Sequence, residues 1–250
     1  MHATGSALAM NEKGYIKFQL DWTRTGPLDL PLIAALSRWR RPLFEAELIG
    51  FDPDQQLGFG NLSARVGNGH QFVISGTSTG HLPVLDARHF ALVTAADPEH
   101  NRVACAGPIA ASSESMTHAA IYALDPSINA VVHVHDATLW RALFNRVPTT
   151  DAAVAYGTPR MALELRRLYA ESRFRALRIA VMGGHCDGLI AIGASLSDAV
   201  ARILAPYRRL CAQRSPDGRR TRTDSMASSQ SEPSVAGPRA AAIGFPHRDL

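Results

Sequence analysis

The chain has 250 residues, 46% of them hydrophobic, which suits one globular domain with or without tails. A core of that size needs no disulfide or structural metal, so a metal here would serve chemistry rather than hold up the fold. The formal charge of +4 is carried almost wholly by arginine, and the densest basic cluster, Arg214 to Arg222, lies in a polar stretch and not on one helix or stripe, which argues against a nucleic-acid partner.

Leu32, Leu36, Trp39, Leu43 and Phe44 fall at helical spacing and predict a helix within residues 30–50, with Gly50 as its stop. Asp52-Pro53-Asp54 reads as a turn. Residues 62–66 alternate apolar and polar, so they predict a strand entered from the turn Gly58-Phe59-Gly60-Asn61. Gly67-Asn68-Gly69 is a hairpin signal, with Gln71 to Ser75 as the returning strand. A small polar loop, Gly76-Thr77-Ser78-Thr79-Gly80, follows. Asp86 to Phe90 predicts a helical turn, Ala91 to Ala95 a strand, and Asp97 to Asn101 a turn.

Ser112 or Ser113 suits the N-cap of a helix over Met116 to Leu124. Ala130 to His135 is rich in β-branched residues and predicts a strand. Residues 137–144 and 159–171 read as helices. Arg178 to Met182 and Leu189 to Ile192 read as strands flanking a loop, Gly183 to Gly188. Ser197 would cap a last helix ending near Leu210. Alternating strands and helices give an α/β class. The expected organisation is a disordered tail over 1–13, one domain over 14–212, and a disordered basic Ser/Pro/Arg-rich tail over 213–250.

Three widely spaced cysteines, Cys105, Cys186 and Cys211, imply no disulfide framework and fit a reducing compartment. The N-terminus shows no apolar targeting core, and no stretch is long enough to span a membrane. The expectation is a cytoplasmic protein with no membrane partner.

His133-Val134-His135 is the sharpest local feature. Residues i and i+2 of a strand share a face, so both imidazoles can reach one point. Two imidazoles are half of a tetrahedral zinc site, and a plain buried or surface pair is the alternative. Glu114 and His118 sit four apart and share a helix face, so either is a candidate ligand or orienting group. His185 lies in a Gly-flanked loop that can approach a site closely. His2, His70, His81, His89, His100 and His247 fall in turns or tails and read as ordinary surface groups.

Five runs then occur in a meaningful order: GNLSAR from Gly60, ISGTSTG from Ile74, SSESMTHAAIY from Ser112, VVHVH from Val131 and MGGHCDGLIAIG from Met182. Together they resemble the class II aldolase/adducin family over roughly residues 14–207. The resemblance implies a three-layer α/β/α domain around a central sheet, usually a fourfold tetramer with sites between subunits. It matches His133, His135 and His185 to the metal-binding histidines, with zinc the expected ion. Glu114 matches the catalytic carboxylate, which can also ligate the metal. Asn61, Thr77, Ser112 and Ser113 match the residues that hold a substrate phosphate.

The chain departs from the pattern in places. The resemblance calls for a proton-donating tyrosine in the segment Pro148 to Ala155, and none is there; Tyr156 belongs to the following motif. Cys186 stands where glycine is usual after the third histidine, and reads as a small packing residue or a low-pKa thiol. Ser78 stands where the phosphate loop has glycine. The implied activity is metal-dependent cleavage of a ketose phosphate or related hydroxy-carbonyl compound. An epimerase or dehydratase, or an adducin-like interaction protein without catalysis, are the alternatives.

Overall fold

The computed structural model describes residues 16–54 and 56–214. The first half runs β1 (Gln19–Arg24), α1 (Leu32–Glu45), β2 (Gly50–Asp52), β3 (Leu57–Phe59), β4 (Asn61–Arg65), β5 (Phe72–Ser75), β6 (Phe90–Asp97) and β7 (Arg102–Gly107). The second runs α2 (Ser115–Tyr122), β8 (Ala130–His135), α3 (Ala137–Leu143), α4 (Pro159–Glu171), α5 (Phe174–Leu177), β9 (Ile179–Val181), β10 (Gly188–Gly193) and α6 (Leu196–Arg214). Apart from residues 213 and 214, the two expected tails lie outside the described residues, as do His2 and His247.

Eight strands form one sheet in the order β1-β7-β6-β5-β4-β8-β10-β9, while β2 and β3 form a separate hairpin. Among the named strands of the described residues, only β1 and β7 pair in parallel. Side-chain alternation sorts the core into two faces. Val132, Val134, Leu189 and Ala191 pack with Leu36 and Leu43 of α1 and Ile203 of α6. Val131, Ile190 and Ile192 pack on the other face with Met116 and Ile121 of α2 and Leu165 of α4. Each fully buried Val, Leu, Ile or Met side chain among them contributes about 2 kcal/mol. Helices on both faces of a central sheet make a three-layer α/β/α domain.

Helix α1 buries Ile33, Leu36, Arg40 and Leu43, the stripe its sequence period requires. It ends at Glu45, five residues short of the expected glycine stop. Glu47 turns left-handed at φ 57°, and the amide of Leu48 closes back on the carbonyl of Leu43 at 2.9 Å. Gly50 therefore opens β2 instead of stopping a helix. Two expected caps also move. Glu114, not a serine, occupies the N-cap position of α2, although Ser112 still bonds its amide at 3.3 Å. Ser195, not Ser197, bonds the amide of Asp198 at the head of α6.

Candidate metal centre

Strand β8 lies inside the sheet, between β4 and β10. Its alternation sends Val132 and Val134 to one core, and leaves His133 and His135 on the face of α2, beside Val131. His133 Nδ1 lies 3.0 Å from the carbonyl oxygen of Leu189. A carbonyl can only accept, so Nδ1 carries the proton and Nε2 presents its lone pair. The backbone of Cys186 lies close enough to the His135 ring to oppose, in part, the lowering of its pKa.

The third imidazole comes from the turn between β9 and β10. The amide of His185 bonds the carbonyl of Met182 at 3.1 Å, and that of Gly188 bonds the carbonyl of His185 at 2.9 Å. Gly188 sits opposite His135 in the ladder. A Cβ there would lie 2.8 Å from His185 Cδ2, so only glycine leaves room for the ring. The Nε2 atom of His133 is 3.0 Å from that of His135 and 3.2 Å from that of His185. Burial lowers the pKa of all three, and their mutual repulsion lowers those of His135 and His185 further. Three neutral imidazoles thus converge on one point, the donor set of a three-histidine metal site.

Glu114 stands next to them, with Oε1 at 3.6 Å from His185 Nε2. Its side chain is buried and neither carboxylate oxygen has a hydrogen-bond partner among the described residues. A buried carboxylate without a partner is costly, and a cation between it and the imidazoles would satisfy it. The residues therefore fit a divalent metal. His118, the other half of the helical pair, does not join them. It is fully buried and neutral, and its Nδ1 lies 2.7 Å from Ser63 Oγ, which also bonds Tyr122 Oη at 2.8 Å.

The histidines and Glu114 line a cavity of about 380 Å³, together with Asn61, Thr77, Ser112 and Ser113. Asn61 Nδ2 donates to Ser112 Oγ at 3.2 Å, leaving Asn61 Oδ1 without a partner among the described residues. The loop bearing Thr77 is fixed from behind by Arg40 of α1. Its guanidinium donates to the carbonyls of Leu82 at 2.6 Å, Gly80 at 3.1 Å and Thr79 at 3.2 Å. Burial pushes the Arg40 pKa down to about 10, so it stays charged at neutral pH. Carbonyl and amide point opposite ways across a trans peptide. With the carbonyls of Thr79 and Gly80 turned to Arg40, the amides of Gly80 and His81 point away from it, and both residues line the cavity.

Apart from His118, the residues expected at the site thus lie around one cavity, and others that were not expected stand in or beside it. Tyr156 stacks on His185, with ring centroids 4.1 Å apart. Lys17 reaches Tyr156 across 139 residues of sequence, a contact that no local pattern announces. His81 is exposed, as expected of a surface group, but it also lines the cavity and meets Phe51 edge-on at 5.9 Å. Cys186 is neither packed nor acidic: it is exposed, and partial burial and the Asp187 carboxylate raise its pKa.

Fold and site define a three-layer α/β/α domain carrying a three-histidine cluster able to hold a divalent metal. Residues 55–212 match the family described as Class II Aldolase and Adducin N-terminal domain, and the chain belongs to it. Among solved structures it is similar to a sugar-phosphate aldolase from Thermotoga maritima, at 14% identity and TM-score 0.54 over 74% of this chain and 97% of that one. It is similar also to an L-fuculose 1-phosphate aldolase, at 17% identity and TM-score 0.53 over 74% and 87%. A third is YgbL of Escherichia coli, a candidate aldolase/epimerase/decarboxylase, at 19% identity and TM-score 0.53 over 72% and 86%. At these identities the likeness establishes the fold. Comparison with curated protein sequences gives no match. No helix among the described residues is long and apolar enough to cross a membrane.

Proposed function

We propose that the protein is a metal-dependent aldehyde-lyase, cleaving a carbon–carbon bond of a ketose phosphate or related hydroxy-carbonyl compound by a retro-aldol route. The observation that carries this reading is the convergence of three neutral imidazoles beside the buried, unpartnered carboxylate of Glu114 on a cavity wall. His133, His135 and His185 would hold one divalent ion per chain, zinc in this reading, with Glu114 able to complete the set. When bound, the ion supplies Lewis acidity toward a substrate carbonyl oxygen.

The chain's own residues do the rest. Glu114 takes the proton of the hydroxyl on the far carbon, and the carbon–carbon bond breaks to release an aldehyde. The electron pair remains on the other fragment as an enediolate, and Glu114 carries the proton to that carbon. Asn61, Thr77, Ser112 and Ser113 would hold the anionic end through hydroxyl, amide and backbone donors. In this reading the catalytic domain spans residues 14–212 between two tails. It assembles as a cytoplasmic homotetramer and takes a small sugar phosphate rather than nucleic acid or membrane.

One observation favours a second reading. Pro148 to Ala155 holds no tyrosine to exchange a proton with the oxygen of the departing aldehyde. An epimerase or dehydratase on the same site finishes differently and does not require it. An adducin-like role without catalysis is disfavoured by the complete histidine set with Glu114. The test is metal content by mass spectrometry, with wild type and Glu114→Gln assayed on a panel of ketose phosphates. One metal per chain, with cleavage lost in the variant, supports the lyase. Bound metal without cleavage moves the assignment to the epimerase or dehydratase, and no bound metal overturns the metalloenzyme reading.

A further inference from the structure

Imidazoles that bind metals are ordinarily oriented by a hydrogen bond from the ring nitrogen that faces away from the ion. His133 has one to the carbonyl of Leu189, and the backbone of Cys186 lies beside the His135 ring. No backbone group does this for His185 among the described residues. An aromatic face is there instead: the rings of His185 and Tyr156 lie 4.1 Å apart at 29° between planes.

Tyr156 is itself held from two directions. The Lys17 ammonium sits 3.4 Å from the centroid of its ring and donates to its carbonyl at 3.1 Å. Two groups this close to one centroid must take opposite faces, so the tyrosine ring lies between the ammonium and the imidazole. Lys17 is anchored in turn, because Asn101 Nδ2 donates to its carbonyl at 2.8 Å and Asn101 accepts from the amide of Gln19 at 2.8 Å. On the other side, Thr158 Oγ1 donates to the carbonyl of Ala155 at 2.7 Å and caps α4, which fixes the backbone entering and leaving Tyr156.

We propose that Tyr156 and Lys17 form an orienting clamp for His185, in which the tyrosine ring holds the imidazole so that its Nε2 meets those of His133 and His135, and Lys17 holds the ring. Both are positioning residues. The clamp rests on the three-histidine reading of the site. It acts through the ring and not the hydroxyl, so phenylalanine should replace tyrosine.

The test is metal affinity of the full chain, read by competition for Zn²⁺ with a chromophoric chelator and by the visible spectrum of the Co²⁺-loaded protein. Loss of an orienting partner typically weakens metal binding about 10- to 100-fold. Tyr156→Leu should fall in that range, with changed Co²⁺ bands. Tyr156→Phe should bind within about two-fold of wild type, and Lys17→Met should lie between them. The melting temperature of the metal-free protein separates a clamp from a general loss of fold. If Tyr156→Leu does not fold, Lys17→Met carries the test, since it leaves the ring in place. Wild-type affinity in both Tyr156→Leu and Lys17→Met, with metal lost in His133→Ala, overturns the clamp and leaves the site standing. Unchanged metal content in His133→Ala overturns the site itself.

Discussion

Arg40→Met removes a cation that is 2% exposed and has carbonyls for partners, the nearest being Leu82 at 2.6 Å, Gly80 at 3.1 Å and Thr79 at 3.2 Å. Methionine fills much of the same volume without donating, so three carbonyls, those of Thr79 and Gly80 in buried bonds, lose a charged donor. At about 1 kcal/mol for each stranded acceptor the loss is about 3 kcal/mol. Relief of the guanidinium's own desolvation keeps it from being larger. For a domain of this size that corresponds to about 6–12 °C in melting temperature. Arg40→Lys should fall between, because one ammonium can reach only part of the carbonyl set. Calorimetry of the full chain at pH 7.5 measures both variants. A shift under about 2 °C for Arg40→Met would refute the reasoning, since the loop would then hold its shape without the guanidinium.

Acid should destabilise the metal-free protein. Burial holds His118, His133, His135 and His185 below their ordinary pKa, so the unfolded chain takes up protons that the fold refuses. Stability is therefore level above pH 6.5 and falls below it, by about 1.4 kcal/mol per histidine per pH unit. Equal urea midpoints at pH 7.5 and 5.5 in the presence of chelator would contradict this. Gly80→Ala should prevent normal folding. A Cβ there would lie 2.0 Å from the carbonyl oxygen of Gly50 and 2.9 Å from Gly58 Cα, both backbone atoms that cannot swing aside. Soluble protein with a wild-type melting curve would show that the loop can shift after all.

What was legible in the sequence follows from how local its cause is. Strand β8 coincides with its expected bounds because a β-branched run and a period of two act within six residues. The hairpin of β4 and β5 was legible from its Gly-Asn-Gly turn. Strand β7 was not, because Arg-Val-Ala-Cys-Ala-Gly is mostly small residues with no clear polar–apolar alternation. Strand β1 escaped because it is an edge with no fully buried residue, and its parallel partner lies far along the chain. At the site the motif residues were readable one by one. Arg40 was hidden because a helix stripe looks the same whether a charged member of it faces solvent or the interior, and Lys17 because its partner is brought near only by the fold.

The placement of the histidines divides the site into two kinetic halves. His133 and His135 hang from a strand with neighbours on both edges and helices on both faces, so their backbone can open only when the domain does. His185 rides on a turn at the end of a hairpin whose outer strand, β9, has only three residues. An ion held by all three would not have to wait for global unfolding to leave. Its escape would be timed by the opening of one short turn, so lifetime and affinity at this centre can be tuned through that turn while the sheet stays untouched.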